Sequence, residues 1–279
     1  MRIYRTVHYL SLDIVLGALA ISAIAARLFQ ASPGWAWWVC LAMTVWLLYM
    51  GDHMVDAWKQ RKVSKRELHQ FLFRHRRSLL YFTGLILLTD LILVFNFLGS
   101  QVLKYALFLS GGVLLFYAMR HVFRKNRLLF LPGEFFVLLF YLAGTWLGPF
   151  VARTEPLQPS HGLVLAMTAG VLLMNLVTIS LYDIQRDSRL GIASMAHTLG
   201  KRTTRNLMIF TAAGIYLLAV LQFMVYGIER YAQFAFILSG MATILLFILF
   251  YPSYFRKNDA FRMAADAVLF MGFLTLVVK

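Results

Sequence analysis

Three observations predict an all-α membrane protein with nine transmembrane helices around a central cavity. Apolar stretches recur at membrane-crossing length, charge is scarce, and the basic residues fall almost entirely on one side of the resulting topology. The chain of 279 residues is 61% hydrophobic and 14% charged, with a mean hydropathy of +0.71. A soluble domain is about half apolar and about a quarter charged, so a fold in water could not hide this much apolar surface. The single cysteine, Cys40, leaves no intrachain disulfide and no cysteine metal cluster to consider.

Each predicted span approaches the roughly 20 residues needed to cross ~30 Å of hydrocarbon. They lie near 8–29, 36–56, 79–98, 102–119, 131–152, 162–183, 206–226, 232–250 and 261–278. Aromatic residues such as Trp35, Trp37, Trp38 and Tyr231 stand near span ends, where interfacial anchors belong. A barrel would alternate apolar and polar residues, and these runs are apolar on all sides. The first run follows Arg2 and Arg5 and could serve as a signal peptide, but its length and the embedded Asp13 favour a retained helix. With no long linker and no low-complexity tail, residues 1–279 read as a single polytopic membrane domain.

The formal net charge of +15 raises nucleic acid as a partner, and the placement of the charge removes it. With a cytoplasmic N-terminus, 22 of the 27 Lys and Arg residues fall on the inner side and five on the outer. That bias is the positive-inside signal of a membrane protein. The expected setting is a bacterial cytoplasmic membrane, with the lipid bilayer as partner and no nucleic acid.

Acidic residues in or beside a span are expensive and need a partner or a purpose. Of the 12 acids, four form two pairs: Asp52 with Asp56 closing the second span, and Asp183 with Asp187 closing the sixth. Spacing of four on a helix puts each pair on one face, where like charges repel. Negative charge at a helix C-terminus also opposes the dipole. A divalent cation would reverse both penalties, and carboxylates plus a phosphate are what Mg²⁺ takes. Both spans end at the cytoplasm, so the four carboxylates share one depth and could hold Mg²⁺ around a diphosphate. Cytoplasmic helical loops follow both spans. Ser64 and Glu67 have capping-box spacing before Leu68, Phe71 and Leu72. A short Ser194–Leu199 segment follows a Gly191 turn and ends at Gly200. Among the cations here, Arg61, Lys62, Arg189 and Lys201 are candidates to bind the diphosphate. Asp13 and Glu134 are further cavity candidates, although Glu134 also suits a helix N-terminus. Asp90 and Asp266 read as lone acids satisfied by neighbouring helices.

The run from Asp183 through Asp187, Arg189 and Gly191 to Ser194, His197, Gly200 and Lys201 resembles the second aspartate motif of the UbiA superfamily of intramembrane prenyltransferases. Asp52 and Asp56 resemble the latter part of that family's first motif, although the Asn usual one turn earlier falls on Leu48. The motif positions, on the second and sixth of nine spans, are similar too. The resemblance implies Mg²⁺-dependent transfer of a prenyl group from an isoprenoid diphosphate to an aromatic or lipid-soluble acceptor, with the four aspartates as catalytic and metal residues. Rival readings are a CDP-alcohol phosphotransferase, whose longer signature is absent, a small-molecule transporter, and a protein that binds an isoprenoid or quinone without turnover.

Overall fold

The computed structural model describes residue 7 and residues 10–59, 67–122, 133–190, 194–227, 231–256 and 260–277, and every regular element among them is helical. In chain order these are α1 (Leu12–Leu28), α2 (Trp35–Lys59), the short α3 (Glu67–Arg74), α4 (Arg76–Phe97), α5 (Ser100–Val122) and α6 (Gly133–Val151). They continue with α7 (Pro159–Leu190), the one-turn α8 (Met195–Leu199), α9 (Lys201–Tyr226), α10 (Ala232–Phe250), the short α11 (Pro252–Phe255) and α12 (Ala260–Leu269). A 3₁₀ segment, Phe270–Leu276, prolongs α12.

Helices α2, α4, α6, α7, α9 and α10 are long and apolar enough to cross a bilayer, and α5 holds a shorter apolar run, Ser100–Phe116. The protein is therefore an integral, multi-pass membrane protein. The last predicted span, 261–278, changes helix type midway. Ten α-helical residues and seven 3₁₀ residues together rise about 29 Å, because a 3₁₀ turn advances about 2.0 Å per residue against 1.5 Å.

Two apolar cores share α1. Ile21, Ile24 and Leu28 join a large core with α7, α9, α10 and α12. Val15 and Ala18 join a smaller one with α2 and with Leu72 and Leu79 of α3 and α4. Small residues make this possible: Ala18, Ala20, Ala23 and Ala25 are fully buried and let neighbouring backbones approach. At Gly272 a Cβ would lie 2.6 Å from the Ala20 carbonyl oxygen. By contrast α4 and α5 expose most of their apolar side chains, as helices facing lipid do.

Local signals place the two short helices. α3 follows α2 and turns Leu72 into the smaller core, while Ser64 and the side chains of Glu67 and Leu68 lie outside the described residues. α8 has Ser194 as its N-cap and stops at Gly200, whose φ of +82° suits a residue without a Cβ. Lys201 then opens α9 five residues before the predicted start of that span. The sixth predicted apolar span ends at 183, with the pair Asp183 and Asp187 read as closing its helix. The helix runs on to Leu190, so Asp183 stands two turns inside it and only Asp187 occupies the last turn.

Candidate functional site

Hydrogen bonds gather the ends of five helices around the second acid pair. The Asp183 carboxylate of α7 accepts from the Arg262 guanidinium of α12 through Oδ2 and Nη2. Arg186, one turn further along α7, lies 3.8 Å from the same oxygen. Two turns before Asp183, the buried Asn175 amide donates to the Ala265 carbonyl of α12 at 2.7 Å. The Tyr182 hydroxyl donates to the Ile248 carbonyl of α10 at 2.6 Å, and its ring stacks on Phe261 at 4.4 Å. α7 is thus clasped to α10 and α12 along its last four turns.

Glu134 has a definite place in this arrangement. Its Oε1 accepts the Met195 backbone N–H at 2.6 Å, and the Ser180 hydroxyl oxygen accepts the Ala196 N–H at 2.9 Å. Both donors belong to the first turn of α8, whose N–H groups have no partners within the helix. One carboxylate on α6 and one hydroxyl on α7 therefore pin α8 beside the end of α7. Glu134 does stand in the first turn of its own helix, α6, as the sequence allowed, but its carboxylate bonds to the N-terminus of a different helix, α8.

Asp187 differs from Asp183. It is only 8% exposed, and among the described residues no hydrogen bond or ion pair engages its carboxylate. A carboxylate of low exposure with no partner among the described residues is unfavourable, and a bound cation would offset that cost. Asp183, expected to repel Asp187 at spacing four, has that charge offset by two guanidiniums. Arg262 was legible in the sequence only as one more inner-side cation, since nothing local couples it to a residue 79 positions away.

The other expected residues lie as follows. Asp52 is exposed on α2, and Asp56 is on the same helix with a side chain outside the described residues. Arg61 and Lys62 also lie outside them. Arg189 is exposed in the last turn of α7. Lys201 lines a pocket with Arg205 and Arg256, and no carboxylate among the described residues lines that pocket. Asp13 is fully buried in the first turn of α1, where its Oδ1 accepts the Ile14 N–H at 3.0 Å. Of the two lone acids, Asp90 accepts the Thr44 hydroxyl at 2.8 Å, a neighbouring helix supplying the partner as expected. Among the described residues no three carboxylates, imidazoles or thiols gather as ligands for one metal ion.

The donor set nonetheless suits one kind of ion. The groups available at the end of α7 are carboxylate oxygens, with Asp187 of low exposure and unpartnered among the described residues, and oxygen donors with few protein ligands are what Mg²⁺ accepts when a phosphate completes its shell.

No family model and no curated protein matches the sequence. Solved structures do match. A UbiA homolog from Aeropyrum pernix K1, in its apo form, superposes with a TM-score of 0.60 over 95% of this chain and 98% of that one, at 16% identity. A structure described as digeranylgeranylglyceryl phosphate synthase superposes with a TM-score of 0.55 over 99% of this chain and 96% of that one, at 12% identity. At these identities the likeness is one of fold, and it extends over nearly the whole of both chains.

Proposed function

We propose that this chain, which has the fold of the UbiA superfamily, is a membrane prenyltransferase that moves a prenyl group from an isoprenoid diphosphate to an aromatic or lipid-soluble acceptor. The observation that carries the reading is Asp187, a carboxylate of low exposure that no described residue partners, on the helix that also presents Asp183. Full-length similarity of fold to two UbiA-type structures supports it.

In this reading Asp183 and Asp187, with Asp52 and Asp56 on α2, hold Mg²⁺. When bound, the cation neutralises the diphosphate and makes it a better leaving group. The chain's own residues do the rest. Arg186 and Arg262 already balance Asp183, so the anionic substrate meets one uncompensated carboxylate on α7 instead of two. Arg189, exposed in the last turn of that helix, adds attraction for the diphosphate. α8, held by Glu134 and Ser180, keeps the segment after the acid pair beside the end of α7. The apolar helices exclude water from the allylic carbocation left when the C–O bond ionises, so that the acceptor captures it.

The test is direct. Purified protein is given radiolabelled geranyl, farnesyl or geranylgeranyl diphosphate with Mg²⁺ and total lipid extract. Release of diphosphate with transfer of label into an apolar product, abolished by chelator, is the expected result. Absence of release with all three substrates would refute the proposal.

A further inference from the structure

We propose that the pocket between α7, α9, α10 and α11 binds the phosphate headgroup of an anionic membrane lipid, with Lys201, Arg205 and Arg256 around the phosphate and the acyl region against Leu181 and Leu249. The pocket has a volume of about 580 Å³, within the range of a small-molecule site. Among the described residues its polar lining is cationic or neutral: the three cations are joined by Tyr182 and Ser253, with no carboxylate. Among the described residues no ion pair engages any of the three cations. Arg205 leans over the Phe250 ring at 5.4 Å, which orients its guanidinium without neutralising it.

Three like charges facing one cavity repel unless an anion joins them. The surroundings indicate that the anion is carried by a lipid. Phe250, Tyr251 and Tyr254 are at least half exposed beside the pocket, and exposed aromatic rings at the end of an apolar helix mark headgroup depth. Below the cations the wall becomes Leu181 and Leu249, a surface suited to hydrocarbon and of no use to a free phosphate. Basic pockets between transmembrane helices at the positively charged side of a protein are where anionic headgroups bind. Lys201, a diphosphate candidate from the sequence, is assigned here to the lipid.

The experiment is native mass spectrometry of the full chain in detergent, titrated with phosphatidylglycerol and, separately, phosphatidylcholine. The expected result is tighter binding of phosphatidylglycerol by tenfold or more. Arg205→Gln with Arg256→Gln should weaken it by about 25-fold, at roughly fivefold per surface cation. Lys104→Gln, a charge loss near the start of α5 and away from the pocket, should change nothing. Leu249→Trp keeps every cation and fills the pocket, and it should weaken phosphatidylglycerol as well. Equal binding of the two lipids, native affinity in either pocket variant, or displacement of phosphatidylglycerol by millimolar inorganic phosphate would overturn the proposal. The readout is binding alone, so its outcome is independent of prenyl transfer.

Discussion

Replacing Asp187 by Asn separates a functional carboxylate from a structural one. The side chain is 8% exposed and sits in the last turn of α7. A negative charge there opposes the helix dipole by about 0.3–1 kcal/mol. Repulsion from Asp183 at spacing four adds about 0.2–0.5 kcal/mol, reduced by the two guanidiniums on Asp183. Removing the charge should therefore stabilise the protein by about 0.5–1 kcal/mol, or about 1–4 °C in Tm at the slope expected for a chain of this size. Turnover should fall by at least about a hundredfold, as for a group whose interaction is made in the transition state. The assay pairs diphosphate release with thermal unfolding in the same detergent. An Asp187→Asn variant that turns over normally would refute the functional role. One that melts several degrees lower would show that the carboxylate has a structural partner, and the reasoning from burial would fail.

Asp52→Asn and Asp183→Asn should each cost a large factor in turnover and the double variant little more, because groups acting in one step do not lose rate additively; additive losses in diphosphate release would separate the two pairs. Glu134→Ala removes the acceptor of the Met195 N–H and should speed hydrogen exchange at that amide, with exchange in α10 unchanged as the internal control. Gly272→Ala forces a Cβ to within 2.6 Å of the Ala20 oxygen; overpacking of this kind costs about 1–3 kcal/mol, seen as a lower Tm, and an unchanged Tm would mean that α1 and the 3₁₀ segment separate readily. Mg²⁺ and a non-hydrolysable prenyl diphosphate should each tighten the other's binding in calorimetry, and diphosphate affinity indifferent to chelator would count against the acid pairs as its site.

Much of the fold was legible in the sequence for a plain reason. Hydropathy and charge act on each segment separately, and a membrane imposes the same length on every span. The acid pairs were legible likewise, since spacing four on one helix is local information. So was the stop of α8 at Gly200, a residue tolerant of positive φ. Hydropathy marks only the apolar part of α7, which stops at Asp183, while the helix itself continues through a polar stretch past Asp187 to Leu190.

By itself, then, the sequence determined a multi-span helical membrane protein with two aspartate pairs, helical loops after the second and sixth spans, and one strongly basic side. Only the tertiary structure decided which charges meet. It joined Asp183 to Arg262 across 79 residues, gave Glu134 to the first turn of α8 across 61, and gathered Lys201, Arg205 and Arg256 around one pocket. The physical reason is that a side chain's partner across a bundle depends on how helices far apart in the chain pack and rotate against each other. That arrangement comes from the summed fit of many small and apolar residues, which leaves no local mark on the charged residues it brings together.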